Sequence, residues 1–325
     1  MALMKKTREE WNVVALAGGV GGAKLADGLA RLLAPTHLSI VVNTGDDFTH
    51  YGLHISPDVD TVMYTLAGIA NPATGWGMVN ESWNMLGMME QYGEEPWFRL
   101  GDRDLATHLL RTQRLNAGES LTSITRHFSQ KLGIQHHILP ATNDPLATIV
   151  DTEEYSELPF QHYFVKYRWQ PTVKNICFSG ETEAQITPEV QQALGEADLI
   201  IVCPSNPFLS IAPILAVKGI RQALEKREVP CLAVSPLISG LAIKGPTDKL
   251  MRELGLEASN IEIANFYKNL IDGLVIDTSD GQDGATLSRI YPALTVFQTT
   301  TLMKSIDDRT QLATTILDFI QEVYS

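Results

Sequence analysis

Four stretches of the chain combine residue types that a reaction centre needs, the first two just after a run of apolar residues. The first is Gly18-Gly19-Val20-Gly21-Gly22-Ala23-Lys24. Glycines let the backbone approach an anion, and a following helix offers unpaired N–H groups with positive partial charge. The stretch matches neither standard phosphate motif. Counted from Gly19, G-x-G-x-x-G would need glycine where Lys24 stands, and a P-loop needs four residues between its first glycine and Gly-Lys-Ser/Thr. A tight strand-to-helix turn would also use glycine. Four glycines in five positions exceed what a turn requires, which favours phosphate.

The second stretch is Asn43-Thr44-Gly45-Asp46-Asp47. Adjacent carboxylates repel, and a cation or polar hydroxyls would offset that cost. Carboxylate oxygens suit Mg²⁺, which bridges protein to substrate phosphates; a solvated Asx turn is the other possibility. The third stretch is Ser56-Pro57-Asp58-Val59-Asp60-Thr61, which reads as a helix start with Ser56 as N-cap and Pro57 at the first position. Asp58 there favours the helix dipole. Asp60 points away from the Val59/Val62/Met63 stripe, as a surface acid or a ligand-binding one. The fourth, Trp97 to Asp104, offers Arg99 as a planar fork for phosphate or carboxylate, or as the partner of an acid. Asp102 reads as the N-cap of the helix that follows. Asn206 in Pro204-Ser205-Asn206-Pro207, and Lys244 in Lys244-Gly245-Pro246, sit in later loops suited to a base, ribose or diphosphate.

Elements that place such loops alternate along the chain. Val13 to Ala17, Leu38 to Val42, Val173 to Phe178, Leu199 to Cys203, Cys231 to Ser235, Leu274 to Asp277 and Leu294 to Gln298 read as strands. Helices fall between them, including one predicted from Ile211 to Lys226 and a last one from Asp308 to Val323. Solidly apolar strands separated by helices predict a parallel sheet covered on both faces. From Asn71 to Gly133 the strand signal fades and amphipathic helices appear at Asp102 to Leu115 and Ser120 to Leu132. Short β-like runs follow, Tyr163-Phe164-Val165 among them. The expected architecture is a doubly wound, Rossmann-like α/β core (residues 1–70 and 171–325) with a mainly helical insertion and small β annex (71–170). In such sheets ligands bind beyond the carboxyl ends of the strands, at a switch point.

Composition narrows the class. Of 325 residues, 44% are hydrophobic and 19% charged, which excludes a disordered chain. A net charge of −13 disfavours a nucleic-acid partner, while leaving room for a local basic pocket. Cys177, Cys203 and Cys231 form no C-x-x-C pair and read as small buried residues on strands. His136-His137 faces both ways on a strand, a poor metal site. Met1 to Glu10 has no apolar h-region and no apolar run reaches membrane-span length, so a protein of the cytoplasm is expected.

Taken together, these loops resemble the 2-phospho-L-lactate transferase family of coenzyme F420 biosynthesis. The similarity rests on the glycine turn through Lys24, on Asn43 to Phe48, on Gly52 to Thr61, and on Asn71-Pro72 through Gly75-Trp76-Gly77. It continues through Trp97 to Asp104 and into Lys244-Gly245-Pro246, covering nearly the whole chain. The resemblance implies transfer of a phospho-hydroxy-acyl group (lactyl, enolpyruvyl or glyceryl) from a guanosine-diphospho donor to the ribityl hydroxyl of the deazaflavin Fo, with release of GMP. It implies that Asp60 and Arg99 contact Fo. It further suggests Asp46 and Asp47 as Mg²⁺ ligands, one of them orienting the attacking hydroxyl. Gly18, Gly19, Gly21, Gly22 and Lys24 would hold the diphosphate, and Asn206 and Lys244 the nucleotide. The helical insertion would cover Fo, with Trp76 and Trp97 as stacking partners, and a homodimer is the common state of such enzymes. Two alternatives remain at this point: a nucleotide-sugar-binding regulatory factor sharing the glycine turn and paired aspartates, and an NAD-dependent oxidoreductase, which Lys24 disfavours.

Overall fold

A computed structural model describes residues 6–324, so residues 1–5 of the N-terminal stretch lie outside it. Seven parallel strands form the central sheet: β1 (Val13–Ala17), β2 (Leu38–Val42), β3 (His137–Pro140), β4 (Leu199–Val202), β5 (Cys231–Val234), β6 (Gly273–Asp277) and β7 (Thr295–Thr299). Their spatial order is β3-β2-β1-β4-β5-β6-β7. The order reverses direction between β1 and β4, which creates the switch point of a doubly wound Rossmann-like fold.

Strand β1 is buried along its whole length. Its residues alternate between two cores, as the two-residue period of a strand requires. Val13, Ala15 and Ala17 meet helices α1 (Gly19–Ala30), α2 (Pro57–Leu66) and the closing helix Ile306–Tyr324 on one face. Val14 and Leu16 face the opposite layer, with Ile211, Ile220 and Ile263. This two-sided burial explains the solidly apolar strands of the sequence.

The structure differs from the sequence expectations in several places. β3 joins the sheet edge in parallel register with β2, Ser39 opposite His137 and Val42 opposite Pro140, although it falls within the stretch expected as insertion. An edge position tolerates Pro140, which has no N–H to donate. The run Val173–Ser179 is a strand, yet it pairs antiparallel with Ala147–Thr152 in a separate three-stranded sheet completed by Ser156–Pro159. Cys177 is exposed on that strand, whereas Cys203 and Cys231 are buried as expected. Tyr163-Phe164-Val165 is helical, within His162–Lys166. The helix expected from Ile211 to Lys226 is broken into Ala212–Ala216 and Ile220–Glu225. Lys218 between them is drawn into a parallel bridge with Gln185, and Gly219 turns the chain at φ 105°. Asp102 does not cap its own helix, α3 (Asp102–Asn116), whose N-cap is Gly101. Its carboxylate reaches back to the start of Asn84–Gln91, accepting from the Asn84 and Met85 N–H groups at 3.0 Å each. Among the described residues, no helix is long and apolar enough to cross a membrane.

Candidate active site

A cleft of about 690 Å³ opens at the carboxyl ends of β1 and β4. Every strand-end loop expected to carry chemistry reaches it, and the insertion supplies its outer wall.

The glycine turn is built by close packing. A Cβ on Gly18 would lie 2.6 Å from Asp58 Oδ2, and one on Gly21 only 2.2 Å from the carbonyl oxygen of Pro204. Ser205 ties the β1 and β4 loops together: its hydroxyl donates to Gly18 O at 2.8 Å and accepts from Gly18 N at 3.1 Å. Gly18, Gly19 and Gly21 line the cleft at the start of α1, where the N–H groups have no intrahelical partner. Gly22 is buried behind them, against Ser205 and Ala17.

Asn43 organises the acids. Fully buried, it donates from Nδ2 to Asp46 Oδ1 at 2.6 Å and to Asp58 Oδ2 at 3.0 Å. Both carboxylates line the cleft. Burial raises the Asp46 carboxyl well above the ordinary range, and the charges of Asp58 and Asp47 add to the rise. Burial pushes Asp58 up to about 6, opposed by Asn43 and the Gly19 N–H and reinforced by Asp47. Among the described residues, neither acid has a cationic side chain as ion-pair partner. Asp47 is turned elsewhere. Its Oδ2 accepts from Ser56 Oγ at 2.7 Å and lies 3.1 Å from His54 Nε2, and it is not part of the cleft wall. Ser56 therefore holds the N-cap position of α2 but spends its hydroxyl on Asp47.

Asp60 is buried, not a surface acid. Its carboxylate is forked by Arg111 of α3, Nη1 to Oδ2 at 3.0 Å and Nη2 to Oδ1. Beside the pair, His108 Nδ1 lies 3.7 Å from Asp60 Oδ2, and its Nε2 lies 3.3 Å from Asp104 Oδ1 without alignment for a hydrogen bond. Tyr64 donates to Asp104 Oδ1 at 2.6 Å. Ligand atoms of Asp60, Asp104 and His108 fall within 4.8 Å of one another, a group able to hold a metal ion, although Arg111 already engages both Asp60 oxygens. Sequence reasoning missed Asp58, Arg111 and His108 as site residues. The spacing of Asp104, His108 and Arg111 puts all three on one helix face, a signal that was available.

The cations sit on other walls. Lys24 Nζ donates to Met303 O at 2.6 Å; burial lowers its pKa first, and the charges of Lys244 and Arg309 lower it further. Lys244 Nζ donates to Thr74 O at 3.1 Å. Arg99 is exposed at the rim, its guanidinium 4.3 Å from the Trp83 ring centroid. Asn206 lines the cleft while its side-chain oxygen accepts from the Phe208 and Leu209 N–H groups. Trp97 packs 4.7 Å from the His162 ring and 5.1 Å from that of His50, and Trp76 stands half-exposed at the cleft mouth. Burial drops the His50 pKa to about 4, helped by His162 and His108, so this aromatic wall is uncharged there at neutral pH.

With this geometry in hand, the relatives of the chain can be placed. Residues 13–294 match the model of the family described as 2-phospho-L-lactate transferase CofD. The chain belongs to that family. It is 38% identical over 317 residues to a phosphoenolpyruvate transferase of Kitasatospora aureofaciens, covering 96% of this chain and 98% of that one. It is 36% identical over 301 residues to a 2-phospho-L-lactate transferase of Methanosarcina mazei, covering 93% and 98%. The crystal structure of a UPF0052 member from Bacillus halodurans superposes with a TM-score of 0.61 at 14% identity, covering 95% of this chain and 99% of that one, a likeness of fold. The protein is thus a transferase of the CofD family, which serves coenzyme F420 biosynthesis, and the relatives' names support this over a regulatory binding factor.

Proposed function

We propose that this CofD-family enzyme transfers a phospholactyl or phosphoenolpyruvyl group from a guanosine-diphospho donor to the ribityl hydroxyl of Fo, as a cytoplasmic homodimer. One observation carries the proposal. A single cleft at the sheet's switch point places a buried acid pair beside a helix N-terminus, two mutually repelling lysines and an aromatic wall. Each part answers one component of the reaction: diphosphate, divalent cation, hydroxyl nucleophile and flat heterocycle.

Asp46 and Asp58 fit Mg²⁺. Their donors are all oxygen, they are joined through one Asn43 amide, and their mutual repulsion lacks a cationic side chain to relieve it. When bound, the ion supplies charge stabilisation to the transferring phosphate. The N–H groups at the start of α1, with Lys24 and Lys244, attract the donor phosphates. Asp60 accepts a hydrogen bond from the ribityl hydroxyl and orients its oxygen toward phosphorus. A new P–O bond to Fo forms as the bond to GMP breaks, and the hydroxyl proton passes to a carboxylate. Positioning and electrostatics account for most of such catalysis. Arg99 and Trp97 flank the deazaflavin ring. The three cysteines are free thiols, which suits a reducing compartment.

The test is product mass spectrometry on purified protein with Fo, Mg²⁺ and each guanosine-diphospho donor in parallel. A Mg²⁺-dependent phosphodiester of Fo with GMP release is expected from one donor. No product from any donor, with no Fo binding, would refute the proposal.

A further inference from the structure

Arg111 is among the largest fully buried side chains of the protein, 1% exposed between α2 and α3. It is not part of the cleft wall, yet the carboxylate it forks is. A buried ion pair is a poor means of holding two helices together, because apolar side chains of similar volume stabilise such a contact as well or better. Two further features set this one apart. The Asp60 fork is two-pronged, which fixes the plane of the carboxylate as well as its place. Around it, His108 Nδ1 stands 3.4 Å from Arg111 Nη1, its Nε2 lies 3.3 Å from Asp104 Oδ1, and both His108 and Asp104 line the cleft. Tyr64, Asp104 and His108 complete a polar patch on the cleft wall beside Asp60, suited to a polyhydroxyl chain.

We infer that Arg111 is a positioning residue for the acceptor: from behind the cleft wall it fixes the Asp60 carboxylate in the orientation that receives the acceptor's polyol chain. The inference rests on the assignment of Asp60 to the Fo side of the cleft. Arg111 itself touches no substrate. Its loss leaves the carboxylate in place but free to rotate, so the acceptor is misplaced while the donor is untouched. A displacement of about 1 Å at a reacting group costs about 10²-fold in rate.

The experiment compares R111M and R111K with D60N, measuring KM for Fo, KM for the guanosine-diphospho donor, kcat and thermal midpoint for each. R111M is expected to raise the Fo KM by at least about tenfold and to lower kcat/KM for Fo by about 10²-fold, with the donor KM unchanged. R111K keeps the charge without the fork and should recover part of the loss. A truncated R111A, which leaves the space of the lost side chain open, should regain part of its Fo affinity with added guanidinium ion, a rescue that a merely structural role would not give. A lowered midpoint with both KM values unchanged in the folded fraction would overturn the inference, since it would make Arg111 structural only. If D60N leaves Fo binding intact, the Asp60 assignment falls and the inference with it. If D60N weakens Fo binding and neither Arg111 variant does, only the inference falls.

Discussion

Gly21→Ala sets two physical effects against each other at the heart of the site. Gly21 lies inside α1 with an ordinary helical backbone, so alanine should favour the helix by about 0.5–1 kcal/mol. The added Cβ, however, would sit 2.2 Å from the Pro204 carbonyl oxygen. That contact is backbone against backbone, with no flexible side chain to swing aside. The turn and the β4 loop must separate by about 1 Å, and overpacking of this kind costs about 1–3 kcal/mol. The clash should win, for a net loss of about 0.5–2 kcal/mol. For 325 residues at about 2 cal/mol/K each, that lowers the melting midpoint by about 1–3 °C. Because both separated loops line the cleft, kcat/KM should fall by about 10²-fold, far more than the stability loss implies. Gly87→Ala is the control. It lies mid-helix with no heavy atom within 4 Å of its would-be Cβ, and should raise the midpoint slightly with activity unchanged. Differential scanning calorimetry and steady-state kinetics on the two variants decide the matter. A G21A protein that melts at or above the parent temperature with full activity would refute close packing as the reason for the glycine turn.

Three other outcomes are expected. Asp58 is raised in the folded state, so its contribution to stability is full below its ordinary 3.8 and lost as pH rises through about 6. Without Mg²⁺, D58N should therefore match the parent below pH 4 and exceed it by about 3 kcal/mol above pH 7, and Mg²⁺ should stabilise only the parent; urea unfolding across pH checks both. Lys24→Met should raise the donor KM roughly 10- to 100-fold, the worth of a charged hydrogen bond, with the Fo KM unchanged in the same assay. Ser205→Ala leaves the buried Gly18 N–H without its partner and should cost about 1–3 kcal/mol in chemical denaturation.

The alternation of core strands and helices was legible because the inner strands of the parallel sheet, β1, β4, β5 and β6, are buried on both faces. Partner choice was not. Val173–Ser179 and His137–Pro140 carry no local mark that sends one to the small sheet and the other to the main one, since pairing is decided by chain segments far away. The site shows the same division. The strand-end loops announced themselves by residue type, but the reason for Gly21 lies in Pro204, distant in sequence. Asp46 and Asp47 look like a pair because they are neighbours. In the loop they diverge, Asp46 toward Asp58 across Asn43 and Asp47 toward His54 and Ser56. Asn43 stands three residues before Asp46, and nothing local says that its amide will also bind a carboxylate fifteen residues on.

The net charge of −13 is a poor guide to the cleft, and the reason is geometric. Lys24, Lys166, Arg168 and Lys244 share its wall with Asp46, Asp58, Asp60 and Asp104, so cations gather locally in an acidic protein. Two opposite demands meet there. Under the proposed function, a diphosphate drawn to the lysines and the α1 terminus would approach Asp58, which sits against Gly18 at that same terminus. The carboxylates thus repel the very group that the N–H groups attract. A divalent cation held by Asp46 and Asp58, as proposed, would turn that repulsion into attraction. On the proposed assignment, donor and Mg²⁺ would be linked ligands, each raising the other's affinity by the same factor. Among the described residues no cationic side chain pairs with Asp46 or Asp58, and under the proposal the relief of their repulsion would come from the cation that accompanies the donor.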